Sequence, residues 1–434
     1  MKQRFTEIDV NKKLKRLLVL SILFTVIFIS TIFIRHNIFS NSSLPGKEVY
    51  FNLNSAKDIL NLRSNFVLEE KDIRDLIWPV IIAASSFILR VPVEASVLII
   101  TLVFGLLSLI LIYLVADKLG FKKKNIALVL FLISPATIWL YATYGKYIPA
   151  LFFSLLTLYL LLISKDNAAL LTFAFASFFG IISTVATLLI SFLAFRKGFF
   201  SWLAKAVAIG VVISIFAYAL FPPFESFTLS FDSFFALFFS LSVFGVSIFA
   251  FLIAIIGIIM TWHERKQRKE LLPTYAVFLA LLFLSVLNKE FIFFFNFVLV
   301  FLAATGLTKL VEREWASQLI RNLVLLILIV ALIFPALIFP VRIANMQPEK
   351  ELVSAFGFLR SQENGKVLSI AHNGFWIEYF SGKEALVDDF KAAAEPEIND
   401  KATSLLMERE LKNLSAELDA KGLKYVFIDS KTRE

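Results

Sequence analysis

Two acidic side chains stand in segments between long apolar runs, where a carboxylate can do chemistry. Glu48 follows the turn residues Pro45 and Gly46 and precedes an amphipathic segment, so the turn would orient it. Glu225 lies within residues 221–227 among Phe and Pro, where an acid near lipid is unfavourable unless it is paired or used. Such a carboxylate can act as a general base or bind a divalent cation. The alternative for both residues is a solvated, non-catalytic side chain.

Two other charged segments have simpler interpretations. Acidic and basic side chains interleave over residues 69–75 at spacings that favour a solvated segment with local ion pairs. Lys289 and Glu290 lie between two apolar runs. Lys289 could contact a lipid phosphate there, and both side chains could equally extend toward water from the ends of helices.

Several kinds of site are excluded by residue type and spacing. The chain has no cysteine, so it has no disulfide, no thiolate metal site and no cysteine nucleophile. Its histidines, His36, His263 and His372, are far apart and lack metal-ligand spacing. Neither a P-loop nor a G-x-S-x-G motif is present. The apolar runs are nearly free of ionisable residues, which argues against an ion-coupled transporter.

The composition indicates a membrane protein. Of 434 residues, 59% are hydrophobic and 18% are charged, whereas soluble domains average about 45–50% apolar and 25% charged residues. An ordinary cytosolic enzyme, a disordered protein and a nucleic-acid binder are thereby excluded. About eleven apolar runs approach the 20 residues that a spanning helix needs. They are residues 17–34, 97–115, 126–141, 149–163, 168–182, 185–195, 203–221, 234–260, 272–287, 291–305 and 323–339.

Two stretches depart from this simple pattern. The pair of runs within 168–195 fits either two helices or one long tilted helix. Residues 77–90 are apolar but too short to span, and Pro79 and Pro92 bracket them, so we expect an interfacial or re-entrant helix.

Basic residues predict the orientation. They concentrate in alternate loops, at 118–124, 196–197, 265–269 and 309–313, which places these loops and the N-terminus in the cytoplasm. The net charge of +9 follows from this bias without an anionic partner. The chain would then be a multi-pass protein of the plasma membrane, with the first polar segment, 35–76, and the tail on the outer side.

The tail has the pattern of a small α/β domain. Helices are predicted at 351–360 and 400–420 and strands at 366–371 and 424–429, with apolar or alternating segments at 375–380 and 385–388. We therefore divide the chain into a transmembrane domain, 1–340, and an extracytoplasmic domain, 341–434. Spans without polar pathways suit a substrate with a lipid tail, whose headgroup the outer acids would meet.

The tail segment 367–383, which contains Ile370-Ala371-His372-Asn373-Gly374, resembles the region around the W-W-D-Y-G motif in the catalytic subunit of oligosaccharyltransferase, particularly its archaeal single-subunit form. The flanking segments 358–360, 385–389 and 424–429 are similar to the family pattern as well. The arrangement of spans, first loop and tail resembles the GT-C glycosyltransferases, which use polyprenyl-linked sugars.

Departures from the family pattern lie at its functional positions. In the acceptor-recognition motif only Gly374 is retained. Glu48 corresponds to the family's metal-binding Asp, with Asn52 and Asn54 in place of His and Arg, and the next outer loop, 144–149, has no acid. Glu225 corresponds loosely to the T-I-x-E glutamate. The resemblance thus implies a metal site that lacks one acid and a loss of sequon recognition.

The expected protein is a polytopic α-helical membrane protein with a GT-C-like fold and a small C-terminal α/β extracytoplasmic domain. The resemblance implies an oligosaccharyltransferase-like glycosyltransferase with no resident cofactor, although Mg or Mn would become possible with a second acidic ligand. Its partners would be the bilayer, a polyprenyl-phosphate-linked sugar and a protein or glycan acceptor, with no nucleic acid. The catalytic candidates are Glu48 and Glu225, and the substrate-binding candidates are Tyr50, Asn52, Lys289, His372, Asn373 and Trp376.

Two alternatives remain open at this point. The chain could be a non-catalytic paralogue that binds lipid-linked glycan or a glycosylation partner, which the missing acid favours. It could also be a transporter of lipid-linked sugars, although the first-loop acid and the tail domain are explained better by a transferase.

Overall fold

A computed structural model describes residues 2–61, 73–121, 123–195, 198–220, 247–262, 271–408 and 410–429. Most of them are helical. The helices are α1 (Lys2–Asn37), α2 (Glu48–Leu60), α3 (Ile73–Leu89), α4 (Val93–Lys118), α5 (Lys124–Ile133), α6 (Pro135–Ala142), α7 (Tyr147–Leu162), α8 (Asp166–Ser177), α9 (Ile181–Ser191), α10 (Phe199–Leu220), α11 (Ile248–Thr261), α12 (Leu271–Leu287), α13 (Ile292–Glu312), α14 (Gln318–Ala344), α15 (Lys350–Ser361), α16 (Asp389–Ala394), α17 (Pro396–Met407) and α18 (Leu411–Ala420). The strands are β1 (Lys366–Leu368) and β2 (Leu423–Val426).

The predicted apolar runs coincide with helices wherever the chain is described. Four of these helices are long and apolar enough to cross a membrane, or five if the bent pair α5–α6 counts as one span. The predicted number of about eleven spans stays a prediction. Glu225, His263, the acids at 69–72 and the basic segments 196–197 and 265–269 lie outside the described residues.

Two of the apolar runs are broken for local reasons. The run 126–141, predicted as one span, contains two helices, α5 and α6, which meet at a bend of 58° and together form either a broken span or a re-entrant segment. Pro135 cannot donate a backbone hydrogen bond and disfavours helical backbone at Ser134, which is extended with φ −68° and ψ 134°. Within 168–195 the chain forms two helices, α8 and α9, and Gly180 takes φ +115° before the second one.

Internal contacts divide the chain into two compact units. The bundle unit comprises the described residues of Met1–Ile34, Ile99–Phe216 and Phe227–Ala344. The mixed unit comprises those of Arg35–Leu98, Ala217–Ser226 and Asn345–Glu434, so the first polar segment and the tail belong to one unit. The division predicted near residue 340 stays a proposal about the arrangement in the membrane.

Small residues bring the helices of the bundle unit together. A Cβ added to Gly306 of α13 would lie 2.1 Å from the Ile253 carbonyl oxygen of α11, and one added to Gly257 would lie 2.4 Å from the Leu302 oxygen. In the same way, the ring of Phe24 occupies the space beside Gly105. Helix α13, which takes part in this close backbone approach, is 83% buried over its most apolar window.

The tail forms a short parallel sheet with helices packed against it. Strands β1 and β2 pair in parallel, and Ala385 forms a further parallel bridge with Val367. The buried core of this part comprises Leu368, Val387, Ala402, Leu405 and Leu423. The apolar segment 375–380 is helical, with one turn at Gly374–Trp376 followed by π-helical Ile377–Ser381.

The single long helix predicted at 400–420 is wrong, because two helices, α17 and α18, replace it. Leu405 lies in the core, and Leu414 packs against that core from the second helix. In one continuous helix these two leucines would point to opposite sides, since nine positions make about two and a half turns. Extended backbone at Glu408 and Glu410 breaks the helix and lets both reach the core.

Candidate functional site

The turn before α2 is held by residues of the tail. The Gly46 amide donates to the Gln347 carbonyl at 2.9 Å. The indole Nε1 of Trp376 donates to the Gly46 carbonyl at 3.5 Å. The hydroxyl of Tyr50 donates to the Leu44 carbonyl at 2.9 Å and closes the turn from within α2. The mixed unit thus brings the predicted first-loop residues and the predicted tail residues into one cluster.

Glu48 is the exposed member of this cluster. It is the first residue of α2, where the helix dipole favours a carboxylate, and the two residues that follow it are buried. Its neighbour Lys47 forms an ion pair with Asp389, with 2.6 Å between Nζ and Oδ2. The turn is therefore fixed on both sides while the Glu48 side chain points toward solvent.

Tyr50 and Asn52 lie on the buried side of α2, at 2% and 5% exposure. The ring of Tyr50 contacts Tyr379 and Phe380 at centroid distances of 4.8 Å and 5.0 Å. Burial raises the pKa of the Tyr50 phenol well above its ordinary value, so the group is neutral and acts as a donor. These contacts hold α2 against the helical tail segment.

The tail signature is engaged in internal contacts. The Nε2 atom of His372 lies 3.1 Å from the Gln347 Oε1 atom, and its ring stands at right angles to Trp376 with 5.0 Å between centroids. The amide of Asn373, which is fully buried, donates to the Ser369 hydroxyl at 3.1 Å and to the Asp429 carboxylate at 3.2 Å. The three predicted residues therefore lie together.

Gly374 is retained for a steric reason. A Cβ at this position would lie 2.5 Å from the Cβ of Asp388 and 2.7 Å from the Val387 carbonyl oxygen. Such distances leave no room for any side chain, so the close approach of the turn to the segment 387–388 requires glycine.

A second carboxylate in the mixed unit was not predicted. Glu94, in the first turn of α4, lies 2.8 Å from the Lys57 ammonium and accepts a hydrogen bond from the Tyr379 hydroxyl. The same ammonium lies 4.0 Å from the centroid of the Tyr379 ring. Burial, followed by the nearby Glu94 carboxylate, raises the pKa of the Tyr379 phenol well above its ordinary value. An acid at the start of an apolar run was the available sequence signal, but nothing in the sequence indicated its partners.

Arg35 is a second residue that sequence reasoning missed. Its guanidinium donates to the Ser43 carbonyl at 2.7 Å, the Met346 carbonyl at 2.6 Å and the Pro348 carbonyl at 2.6 Å. A further bond of 2.8 Å reaches the Ser43 hydroxyl, and the residue is only 2% exposed. Arg35 therefore ties the segment before the Glu48 turn to the segment before α15.

Lys289 belongs to the bundle unit. It is exposed in the short 3₁₀ turn Lys289–Phe291, which precedes α13. The side chain of Asn288 accepts from the Glu290 amide at 2.9 Å and caps this turn. Glu290 in turn accepts a hydrogen bond from the Tyr147 hydroxyl at the start of α7. This polar cluster marks one end of two apolar helices.

The described residues do not fit the metal site that the family resemblance implies. They contain no group of three His, Asp or Glu side chains placed to hold a metal ion. Glu48, which corresponds to the family's metal ligand, is exposed beside the Lys47–Asp389 ion pair.

Comparisons with known proteins support the fold. No protein-family model matches the chain, and no curated protein matches its sequence. Among solved structures, the oligosaccharyltransferase of Archaeoglobus fulgidus in the apo form gives a TM-score of 0.65 at 12% identity, over 95% of this chain and 69% of that one. The archaeal oligosaccharyltransferase AglB from the same organism, in complex with an inhibitory peptide and a dolichol-phosphate, gives 0.62 at 12% identity, with the same coverage.

A structure from a second organism is similar over most of both chains as well. ArnT from Cupriavidus metallidurans, bound to undecaprenyl phosphate, gives a TM-score of 0.53 at 13% identity over 89% of this chain and 90% of that one. At these identities the likeness shows the fold. The predicted polytopic helical membrane protein with a GT-C-like architecture is confirmed.

Proposed function

We propose that this chain is a membrane glycosyltransferase that takes its sugar from a polyprenyl-phosphate carrier. The observation that carries the proposal is a shared fold with two proteins whose structures hold such lipids. One complex contains a dolichol-phosphate and the other contains undecaprenyl phosphate. The similarity extends over most of this chain in both cases, which supports a common way of holding a lipid-linked substrate.

The proposed arrangement in the membrane follows from the basic loops. The N-terminus lies in the cytoplasm, and the first polar segment and the tail lie outside the plasma membrane. The bilayer supplies the lipid-linked sugar, and the acceptor is a protein or a glycan that reaches the outer face. The turn before α2 and the tail residues around His372, which share the mixed unit, would meet that acceptor.

We assign the general base to Glu48. Its carboxylate would take the proton of an acceptor hydroxyl while the hydroxyl oxygen bonds to the anomeric carbon of the sugar. The bond from that carbon to the carrier phosphate breaks, and the polyprenyl phosphate leaves with the bonding electrons. Exposure of Glu48 at a fixed turn supports this role, since a base must be reachable by the acceptor.

The other candidates take supporting roles in the proposal. Lys289, exposed next to the capped turn before α13, would contact the carrier phosphate. Glu225 would be the second acid. The buried residues Tyr50, Asn52, Asn373 and Trp376 would shape the site, because burial keeps them from direct contact with a bulky sugar. His372, which is half-buried, would border the acceptor.

Replacing Glu48 by Gln tests the proposal. The matched control is Asp58→Asn, which likewise replaces a carboxylate of the same helix by its isosteric amide. Membranes containing each variant are supplied with a radiolabelled polyprenyl-phosphate hexose, and release of polyprenyl phosphate is measured. We expect Glu48→Gln to lose at least about 100-fold in rate, as removal of a general base typically does, and Asp58→Asn to retain the rate. Full activity of Glu48→Gln would overturn the assignment.

A non-catalytic binder is the second candidate function. It is supported by the tail signature, because His372 and Asn373 stand at positions of the related acceptor-recognition motif and make internal bonds instead. This candidate predicts that the wild-type chain binds lipid-linked glycan, or co-purifies with an active transferase, and shows no turnover by itself. Turnover by the purified wild-type chain would exclude it.

A further inference from the structure

A small cavity lies inside the bundle unit, between α1 and α6. The space in it that is open to the centre of a water molecule is about 10 Å³. Most of its lining is apolar, but Thr31 of α1 and Thr137 and Tyr141 of α6 line it as well. Thr137 and Tyr141 are four positions apart and so share one face of α6. The ring of Phe24 packs against that of Tyr141, with 5.0 Å between centroids, and holds α1 beside α6.

Two of the lining hydroxyls are buried and have no partner in the part of the chain that the structure describes. Thr31 and Tyr141 are 1% and 2% exposed, and neither hydroxyl oxygen has a hydrogen-bond partner there. A threonine in a helix usually donates to the carbonyl four residues earlier. For Thr31 this is the Ile27 carbonyl, which already accepts from the Ser30 hydroxyl at 2.6 Å. Because an unpaired buried hydroxyl destabilises the fold, the two groups indicate an occupant that bonds to them.

The third hydroxyl of the cavity has a proton to donate. The Thr137 oxygen accepts from the Asn296 side-chain amide at 3.0 Å, which leaves its own proton without an acceptor among the described residues. In a continuous helix that proton goes to the carbonyl four residues earlier, as from Thr157 to Phe153 at 2.8 Å. For Thr137 the corresponding residue belongs to α5, on the other side of the extended Ser134.

Size and chemistry select the occupant. A buried water needs roughly 10–15 Å³ of space measured in this way and two to four polar partners. The cavity offers that space and three hydroxyls. A sugar or a lipid chain is far larger. A bare ion would leave water without a charged partner, because the lining contains only hydroxyls and apolar groups.

We propose that one ordered water molecule occupies this cavity as a structural ligand of the bundle unit. It accepts hydrogen bonds from the hydroxyls of Thr137 and Tyr141 and donates one to the hydroxyl oxygen of Thr31. The site is distinct from the proposed catalytic residues. It holds equally for a catalytic and a non-catalytic chain.

The water completes a polar chain through the bend between α5 and α6. The Ser134 hydroxyl at the bend donates to the Asn296 side chain of α13 at 2.7 Å, and Asn296 donates to Thr137. Through the water this chain reaches Thr31, so it joins α13, α6 and α1. A break in an apolar helix is stable where side chains and ordered water satisfy the polar groups around it. The water therefore fixes the bent pair α5–α6 against α1.

Thr31→Val tests the water by the sign of its effect, because valine keeps the shape of threonine and lacks the hydroxyl. The matched control is Thr101→Val in α4. Thr101 is fully buried and its hydroxyl also has no partner among the described residues, but it does not line the cavity. In mixed micelles we expect Thr31→Val to lower the folded-to-unfolded ratio about fivefold, and Thr101→Val to leave it unchanged or raise it. Equal effects of the two variants would overturn the proposal.

A shared water also makes two substitutions non-additive. Once Thr31→Val has released the water, Tyr141→Phe has no further bond to remove. We therefore expect the double variant to be about as stable as the less stable single variant. Independent, additive losses would show that the two hydroxyls do not share a ligand.

A measurement on the wild-type chain does not depend on the folding of any variant. The full chain, with ¹³C-labelled threonine, is reconstituted in lipid bilayers for water-edited solid-state NMR. We expect the Thr31 signals, assigned through their sequence neighbours, to receive magnetisation from water several times faster than those of Thr101. Equally slow transfer to both residues would show that the cavity is dry and would overturn the proposal.

Discussion

The two units bury different kinds of polar side chain. Among the described residues, the buried polar side chains of the bundle unit are hydroxyls and one amide, such as Ser154, Thr187 and Asn296. Those of the mixed unit include the charged residues Arg35, Lys383 and Asp388. Among the described residues, the bundle unit therefore buries uncharged polar side chains, whereas the mixed unit buries charged ones as well.

The two units provide hydrogen-bond partners for their buried polar side chains in different ways. In the bundle unit, the Ser154 hydroxyl donates to the Ala150 carbonyl one turn earlier at 2.7 Å and also contacts Thr187 at 2.6 Å. Such groups need no water, which suits helices in lipid. In the mixed unit, the Lys383 ammonium, which is 5% exposed, donates to carbonyls after α15, among them that of Gln362 at 2.9 Å. The buried ammonium there donates hydrogen bonds to backbone carbonyls that lie beyond the end of the helix.

The largest expected effect tests whether the bundle unit depends on close backbone packing. Gly306→Leu places a side chain where even a Cβ would lie 2.1 Å from the Ile253 carbonyl oxygen. The nearest atoms belong to the backbone and cannot move aside as the end of a flexible side chain can. We therefore expect a loss of more than about 3 kcal/mol in the free energy of unfolding. Unfolding in mixed micelles, followed by far-UV ellipticity, measures it.

The control for this variant lies in the mixed unit. Gly357 of α15 has open space around the position of an added Cβ. Gly357→Ala should therefore be neutral or stabilise by up to about 1 kcal/mol through helix propensity. Equal losses at positions 306 and 357 would show that the helix crossing at Gly306 is not the cause.

The second-largest expected effect tests whether the mixed unit depends on its buried guanidinium, that of Arg35. Arg35→Met removes the guanidinium bonds to the carbonyls of Ser43, Met346 and Pro348, of which Pro348 still accepts from the Asn41 amide at 2.8 Å. We expect a loss of about 2 to 3 kcal/mol, with faster hydrogen exchange at 41–48 and 346–348. Arg35→Lys keeps the charge but not the planar fork, so it should recover only part of the loss. Arg360→Met, at an exposed position, is the control, and equal exchange in both methionine variants would contradict this role.

Helices were predictable where the physical cause is local. Apolar length alone identifies α1, α4, α13 and α14, because a long run without charges has few alternatives to a helix. The breaks at Ser134 and Glu408 were missed for different reasons. Pro135 was visible in the sequence, whereas the break at Glu408 depends on a core that only the folded tail provides.

The sequence drew attention to some residues of the candidate cluster but indicated none of their contacts. Glu48 and the signature around His372 drew attention through turn chemistry and family resemblance. That the Gly46 turn bonds to Gln347 and Trp376 is a long-range result of packing, which no spacing in the sequence encodes. Glu94 and Arg35 were missed because their partners lie far along the chain.

A smaller effect should come from the polar contact inside the bundle unit. The Asn296 side chain accepts from the hydroxyl of Ser134, the residue at the α5–α6 bend, at 2.7 Å and donates to the Thr137 hydroxyl of α6 at 3.0 Å. Asn296→Leu should cost about 1 kcal/mol, since interhelical polar contacts in membranes contribute modestly. A loss as large as that of Arg35→Met would remove the contrast between the units. The same unfolding measurement in mixed micelles decides this.

The smallest expected effect comes from an ion pair of the mixed unit that is half exposed, in contrast to the buried charges of the same unit. Glu94 and Lys57 are 41% and 40% exposed, so solvent screens their ion pair. Glu94→Gln keeps the side-chain shape and can still accept from the Tyr379 hydroxyl. We therefore expect a loss of only about 0.5 kcal/mol, and hydrogen exchange at 374–381 should rise slightly.

A double-mutant cycle with Lys57→Met isolates the pair, and Glu384→Gln, which removes an exposed partner of Lys366, serves as the control. A coupling free energy between Glu94 and Lys57 near that of the control pair would place both among ordinary surface ion pairs. A coupling several times larger would mean that the cation above the Tyr379 ring and the hydroxyl bond act together. In that case charge stabilises the mixed unit even where water reaches it, and the contrast with the bundle unit would extend from buried groups to the surface.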